Sequence, residues 1–319
     1  MAKWMVSAKK ADFAKIAETF QIDPVIARII RNRDIVGEEE INLFLNGTLE
    51  DLHEPRLLYD MEKAVAFMLS ETEAGAFIRI IGDYDIDGVC ATYILLRGLR
   101  FCGAKADTVI PHRVKDGYGL NEHLIEEAHR DGIRTIITCD NGIAAAEQIA
   151  YAGELGMHVI VTDHHEVPYE EAEDGTRKEL LPPAEAVIDP KQEKCGYPFD
   201  GICGAAVAYK FVQVLTEEYI KRLPDQAGER AKEVRQELLM ELLEFAAFAT
   251  VGDVMELRDE NRILVRYGLR QIAHTKNTGL KALLEVNGLQ GKTLSAYHIG
   301  FVLGPCLNAT GRLDTALKA

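Results

Sequence analysis

The sequence contains no C-x-x-C pair, no apolar run approaching membrane-spanning length and no basic stripe. Each absence removes a class of function. The six cysteines, Cys90, Cys102, Cys139, Cys195, Cys203 and Cys306, stand apart, so structural zinc has no ligand pair to grip. Several sit in apolar runs where cysteine serves as a small hydrophobe, and reduced thiols in a cytoplasmic protein are the expectation. A bilayer helix needs about 18 apolar residues, and no stretch supplies them. The lysines near the N-terminus are not followed by an apolar segment and small-residue cleavage site, so no secretory signal is read. No G-x-G-x-x-G follows a strand-like run, and Gly288-Leu289-Gln290-Gly291-Lys292-Thr293 has the wrong glycine spacing for a P-loop. H-E-x-x-H and G-x-S-x-G are also missing, which sets aside serine hydrolases and dinucleotide-dependent enzymes. The net charge of −15 gives a weak electrostatic footprint for long nucleic acids. Part of the deficit is local, in an acidic stretch from Tyr169 to Glu179 that reads as a solvated insertion.

The chain does have length and a clear alternation of patterns. Its 319 residues, 47% of them hydrophobic, allow one large domain or two smaller ones. Short amphipathic helices are expected over 9–20, 24–33 and 38–45. From Ala76 the pattern changes to compact β-branched runs at 76–81, 108–110, 135–138, 158–161 and 186–188. Helical stretches at 89–101, 122–130 and 144–155 separate them, and longer ones follow at 205–221 and 229–250. Strands alternating with helices of about a dozen residues predict an α/β fold with a doubly wound, mainly parallel sheet. The expected organisation is a helical N-terminal lead over 1–50, a core over 51–256 that includes the long helix 229–250, and a helical extension over 257–319.

Ligand site chemistry in such sheets gathers at the carboxyl ends of the strands, near a topological switch point. Asp83-Tyr84-Asp85-Ile86-Asp87-Gly88, Asp140-Asn141-Gly142 and Asp163-His164-His165 each follow a strand-like run directly, and Asp253 follows a helix. On an extended backbone Asp83, Asp85 and Asp87 face one way, with Gly88 allowing a sharp departure into the next helix. An Asx-Gly turn after a strand is commonly structural, so Asp140 gains its weight from position. Two adjacent histidines after an aspartate are less common. One imidazole suits a metal, the other a substrate, and the acid suits orienting a ring. Crowded carboxylates repel unless cations or protons intervene, and oxygen ligands with one or two imidazoles suit Mn²⁺ or Mg²⁺. Metal-assisted hydrolysis of a phosphate ester is the chemistry this implies. Arg113 and Arg312 are candidate phosphate contacts, and Asn141 and Gly142 are expected to touch substrate.

These segments, with a later Gly-Asp-Val-Met, resemble the DHH phosphoesterases and in particular the RecJ-type single-stranded-DNA exonucleases. Pro111-His112-Arg113 with Gly117-Tyr118-Gly119-Leu120-Asn121, AVIDPK at 186–191, ICGAAVAYK at 202–210, ENRI at 260–263 and GPCLNATGR at 304–312 extend the similarity from about residue 50 onward. The resemblance implies two Mn²⁺ or Mg²⁺ ions. Asp85 and Asp140 would hold one; Asp87, Asp140, His164 and Asp253 would hold the other, with Asp140 shared and Asp83 shaping the first. His165, held by Asp163, would contact the scissile phosphate, and Arg113 and Arg312 would engage DNA phosphates. The implied activity is 5′-to-3′ hydrolysis of single-stranded DNA bearing a 5′ phosphate, in DNA repair and recombination, with a helicase or a single-strand-binding protein as the implied kind of partner.

Two positions depart from the family pattern. Ile86 stands where alanine is usual and is expected to tighten the space beside the metals; Cys306 stands where arginine is common. The family's DHH-associated and oligonucleotide-binding-fold domains have no counterpart here, so the expectation is an N-terminal fragment of a longer protein. The alternatives are a phosphoesterase acting on short oligonucleotides, cyclic dinucleotides or polyphosphate, and a non-catalytic scaffold that keeps the fold.

Overall fold

The structure, a computed structural model, describes residues 9–113, 117–172 and 174–313, the last four as backbone only. Three short helices, α1 (Phe13–Phe20), α2 (Pro24–Asn32) and α3 (Glu38–Asn46), open the chain and share a small core of Ile30, Ile35 and Ile41. Then α4 (Met61–Glu73), β1 (Phe77–Ile81), α5 (Ile86–Phe101), β2 (Lys105–Val109), α6 (Glu122–Arg130), β3 (Thr135–Cys139), α7 (Ala146–Glu154) and β4 (His158–Thr162) follow in order. A hairpin of β5 (Tyr169–Glu171) and β6 (Arg177–Glu179) precedes β7 (Ala186–Ile188). The remainder is helical: α8 (Gly204–Lys221), α9 (Asp225–Gly252), α10 (Asp259–Ile272), α11 (Thr278–Val286), α12 (Ala296–His298), a π-helical turn over Ile299–Leu303, and α13 (Gly304–Leu313).

The five-stranded sheet has the order β2-β1-β3-β4-β7, and every pairing is parallel. Parallel sheets are covered on both faces, which explains why β1, β3 and β4 read as continuous apolar runs. Successive side chains still go to opposite faces. Ile78 and Ile80, Ile137 and Cys139, Ile160, and Ala186 and Ile188 enter a large core built with α4, α5, α8 and α9. Ile81, Ile136, Val159, Val161 and Val187 enter a second core with α6 and α7. The large core runs on to Leu303, so the helices after residue 257 pack on the same apolar mass as the sheet.

The doubly wound parallel sheet expected from sequence is present. Several local features differ. The amphipathic helix α4 was not separately expected, because the segment around it lacks a turn signal at its start; Asp60 enters it in a left-handed conformation (φ 61). The acidic stretch is exposed, as a solvated insertion should be, but it pairs as the β5–β6 hairpin. The long helix begins at Asp225, earlier than expected, with Pro224 as its N-cap.

Glu244 of α9 is buried and accepts a hydrogen bond from the Thr275 hydroxyl, and burial, reinforced by Glu241, pushes its carboxyl up to about 7. A carboxyl whose folded value is raised contributes stability that is full below its unfolded value and is lost as pH rises through the folded one. Stability should therefore decline between pH 4.5 and about 7 through this group. Glu244→Gln, neutral at every pH, should flatten that decline and leave the protein on the order of 2 kcal/mol more stable at pH 8 than the parent, read by urea unfolding at pH 5 and pH 8.

Candidate metal centre

The strand order reverses between β1 and β3, since β2 lies on one side of β1 and β3, β4 and β7 lie on the other. A crevice opens at such a switch point beyond the strands' carboxyl ends. The acidic segments after β1, β3 and β4 all enter it.

After β1, the backbone does not continue extended through Asp87, so the alternating same-face arrangement expected for Asp83, Asp85 and Asp87 is corrected. Helix α5 begins at Ile86 rather than near Val89, because Asp85 is its N-cap: the Asp85 Oδ1 accepts from the backbone N–H groups of Asp87 (2.9 Å) and Gly88 (3.1 Å). A side-chain cap of this kind satisfies donors that the first helical turn leaves free. Asp87 thereby comes from inside the helix's first turn. Gly88 serves close approach rather than a sharp departure. A Cβ there would lie 2.5–2.6 Å from the Asp83 backbone.

Asp87 is fully buried and meets the start of α8, accepting from Gly204 N–H and Ala205 N–H at 2.7 Å each. The positive end of that helix stabilises a carboxylate placed there. Gly204 also touches Asp140, whose Cβ would lie 2.8 Å from a Cβ built on the glycine. The sequence reading found this ICGAAVAYK stretch only through family resemblance. Its signal was a glycine-led helix start, which carries no chemistry until Asp87 is placed on it.

Asp140 follows β3 with φ 60, a left-handed conformation that few residues other than glycine, asparagine and aspartate adopt readily. Its carboxylate Oδ1 lies 3.0 Å from His164 Nε2. The same imidazole nitrogen is 3.4 Å from Asp87 Oδ2 and 3.9 Å from Asp253 Oδ2. Asp253 caps the C-terminal end of α9, and the next residue, Val254, takes φ 60 and is 86% exposed. Asp163 is buried and organises both histidines. Its Oδ1 accepts from His164 N–H (2.8 Å) and faces His165 Nδ1 (2.7 Å), while its Oδ2 accepts from Ile143 N–H (3.0 Å). Tyr118, absent from the candidate residues chosen from sequence, donates to the Asp140 carbonyl (2.9 Å) and stands edge-on to the His165 ring (5.9 Å).

The electrostatics follow from this crowding. Burial, then the Asp87 and Asp85 carboxylates, drive Asp140 well above the ordinary carboxylate range. Burial and Asp85 push Asp83 up to about 7, and burial with Asp87 and Asp85 does the same to Asp253. Asp85 is raised, by burial first. Burial lowers His164, whereas the Asp163 hydrogen bond raises His165. Burial works against Asp163, but its bonds to His165 and the backbone hold it below the usual value.

Three sets of side chains place candidate ligand atoms within 4.8 Å of one another: Asp83, Asp85 and Asp140; Asp87, His164 and Asp253; and Asp140, His164 and His165. The first two sets meet at the Asp140–His164 contact. Asp83 Oδ1 is buried with no hydrogen-bond partner. Hard oxygen donors, one imidazole nitrogen aimed among them and carboxylates made costly by mutual repulsion fit divalent cations such as Mn²⁺ or Mg²⁺.

The remaining candidates fall outside this cluster. Asn141 is buried beside it, and its amide donates to the carbonyls of Ile81 (3.1 Å) and Cys139 (2.9 Å), tying the ends of β1 and β3 together. Gly142 has φ 114 and lies against Thr138. Both nevertheless line a cleft of about 370 Å³ that opens beside Tyr118 and His165. Arg113 is exposed and stacks over the Tyr84 ring at 5.2 Å. The Arg312 side chain lies outside the described residues. Ile86 is buried against Gly252, the residue before Asp253, and against Gly304, where a Cβ would lie 2.5 and 3.4 Å from its Cδ1, and its backbone N–H is held by Asn308 Oδ1 (2.9 Å). Cys306 is exposed, its thiol turned to the Val302 carbonyl at 3.2 Å.

The chain is 35% identical over 315 residues to the single-stranded-DNA-specific exonuclease RecJ of Bacillus subtilis, an alignment covering 98% of this chain and 36% of that protein. It is 34% identical to the RecJ of Escherichia coli, covering 92% of this chain and 48% of the relative. The chain thus spans less than half the length of these relatives. Among solved structures it is similar to an exonuclease RecJ bound to manganese, with 32% identity, a TM-score of 0.66, and coverage of 82% of this chain and 60% of the other. It is similar also to the Thermus thermophilus RecJ in complex with Mn²⁺, at 27% identity and a TM-score of 0.72, with 96% and 40% covered. A model of the DHH family, N-terminal domain, matches residues 77–250, and the chain belongs to that family.

Proposed function

We propose that this chain carries the catalytic centre of a metal-dependent 5′-to-3′ exonuclease that hydrolyses phosphodiester bonds of single-stranded DNA, in a cytoplasmic repair or recombination role. The observation that carries the reading is the convergence of Asp83, Asp85, Asp87, Asp140, His164 and Asp253 at the sheet's switch point, with ligand atoms grouped in two sets that the Asp140–His164 contact joins. Asp83, Asp85 and Asp140 would hold one Mn²⁺ or Mg²⁺ ion; Asp87, His164 and Asp253 would hold a second, with Asp140 between them. Bound ions of this kind supply Lewis acidity toward a phosphate and generate a nucleophile from water at neutral pH.

The protein's own groups do the rest. The N-termini of α5 and α8 fix Asp85 and Asp87, so the ligands do not need to reorganise on binding. Asp163 orients His165 and favours its protonated form. An imidazole so held at the mouth of the centre suits a phosphate oxygen that gains charge during the displacement. The cleft beside Tyr118 and His165 offers room for the nucleoside next to that phosphate. Arg113 remains a candidate for a phosphate further along.

Asp140→Asn tests the centre, because asparagine tolerates the left-handed backbone that Asp140 adopts. The variant should lose at least about a hundredfold in Mn²⁺-dependent hydrolysis of 5′-phosphorylated single strands, which is on the order of 3 kcal/mol of barrier. It should also lose the rise in melting temperature that Mn²⁺ gives the parent, while melting at least as high as the parent in EDTA, since one buried repelling charge is gone. Retained metal-dependent hydrolysis would sink the assignment.

Substrate class is tested separately. The parent should release mononucleotides from 5′-phosphorylated oligothymidines of increasing length, with kcat/KM rising with length. Faster turnover of dinucleotides, cyclic dinucleotides or polyphosphate than of the longer strands would replace the exonuclease reading with one of a small-substrate phosphoesterase.

A further inference from the structure

A cleft of about 570 Å³ lies between α10 and the turn leading to α12, away from the metal centre. Its floor is apolar, with Val265, Leu269 and Leu294, and its walls carry Arg262, Arg266, Arg270 and Lys292 without any acidic residue. The three arginines recur every fourth residue, so they form one row on α10, extending about 12 Å at 1.5 Å per residue. None of the four cations has a carboxylate partner among the described residues. Arg262 and Arg266 donate instead to the backbone carbonyls of Phe44 and Leu45, and Arg266 and Arg270 lie over the Tyr267 ring at 5.9 and 5.5 Å. In a chain of net charge −15, an acid-free row of this kind is an anion site in waiting.

A second feature borders it. Tyr297 and Phe301 are 63% and 72% exposed, and their rings stack on each other at 5.1 Å with 27° between planes. Two large aromatic faces open to solvent beside a basic groove are the elements by which proteins hold single strands, with phosphates on the cations and bases on the rings. An acidic peptide would use the arginines but would have no need of a stacked pair.

The aromatic pair is also linked to the metal centre through one helical run. Asn308 holds the Ile86 N–H, next to Asp85 and Asp87. Phe301 and Tyr297 precede Asn308 by seven and eleven residues along the π-helical turn and α12, roughly 10 and 16 Å at helical rise. Ala296, the next residue, lines the basic cleft. On the other side, Leu257 lines the same cleft only four residues beyond Asp253. We propose that the Tyr297–Phe301 pair and the cleft of Arg266, Arg270 and Lys292 form a binding track for the single strand, leading away from the metal centre. This rests on the single-strand reading of the substrate. It adds a second site, where the downstream part of the strand is held by phosphate contacts and stacking without readout of sequence.

The test is binding of a 5′-labelled 20-nucleotide oligothymidine to the full chain in EDTA, by fluorescence anisotropy across a salt series. Arg270→Gln/Lys292→Gln removes two cations that hold no other element in place. It should weaken binding about tenfold near 100 mM salt and reduce the slope of log affinity against log salt by about 1.4, at about 0.7 per phosphate contact. Tyr297→Ala/Phe301→Ala should weaken binding by tenfold or more and leave the slope unchanged, because stacking releases no counterions. Parent-like affinity and slope in both variants would overturn the track. So would an acidic, phenylalanine-containing peptide that binds the parent through Arg270 while the oligonucleotide ignores both pairs of substitutions. Because no metal is present, the outcome is independent of hydrolysis. Loss of binding in these variants together with a hydrolytically inert parent would support the track and count against the exonuclease reading alone.

Discussion

The constraint on which the rest of this structure depends is the repulsion among carboxylates gathered around one buried imidazole. Asp83, Asp87, Asp140 and Asp163 are all nearly inaccessible, and Asp85 and Asp253 are close to them. Left alone, such a cluster would protonate or push the fold apart. The molecule answers with backbone. The first turns of α5 and α8 aim their free N–H groups at Asp85 and Asp87, and three backbone donors hold Asp163. Asp140 has no such partner beyond His164 Nε2, and burial with its acidic neighbours drives it well above its ordinary range. Asp83 Oδ1 has no partner at all, and Asp140 lies between the two ligand sets, so bound cations would relieve the acids that the backbone leaves unmet.

This arrangement explains features that look unrelated in the chain. Gly88 and Gly204 are required by close approach, since side chains there would strike the Asp83 backbone and Asp140. The left-handed Asp140 and Val254 place strain on both sides of the crevice, at residues flanking or bearing ligand atoms. Farther back, a buried network supports the same helices. Lys210 of α8 pairs with Glu260 of α10 at 2.8 Å, Glu260 accepts from the Tyr197 hydroxyl at 2.5 Å, and Lys210 also donates to the His53 carbonyl. Removing one member of such a network leaves an unpaired buried charge, a cost of about 3–5 kcal/mol. The network fixes α8 against α10, and α8 carries the N–H groups that hold Asp87.

The fold and the identity of the acidic segments were legible because both rest on local signals. β-branched runs such as Ile78–Ile81 and Thr135–Thr138 mark buried parallel strands, and the acids follow them directly. Positions set by capping and tertiary contact were not legible. Asp85 draws the start of α5 back to Ile86, which changes how Asp87 is presented, and nothing in the alternation of acids announces that. Asn141 and Ile86 show the same limit. Asn141 lines the cleft beside His165, and nothing in the sequence announces that its amide also joins two strand ends. Ile86 is expected to tighten the space beside the metals, and the sequence does not announce that glycines at 252, next to Asp253, and 304 receive its side chain. Tyr118 gave no signal apart from its neighbours because its partner is a main-chain carbonyl, which any residue at 140 would supply.

The net charge, which argued against a nucleic-acid ligand, becomes intelligible once the charges have positions. A lysine or arginine set among the site carboxylates would neutralise them and compete with divalent ions for the same oxygens. Among the described residues, the basic row on α10 is held apart from that cluster, facing backbone carbonyls and an aromatic ring rather than acids. Arg113 is kept out of it too, over Tyr84. A protein that must present anionic oxygens to metals and cationic groups to phosphates cannot mix the two without each cancelling the other. Holding the two sets of charges on separate elements lets a polyanion approach a centre whose own charge would otherwise repel it.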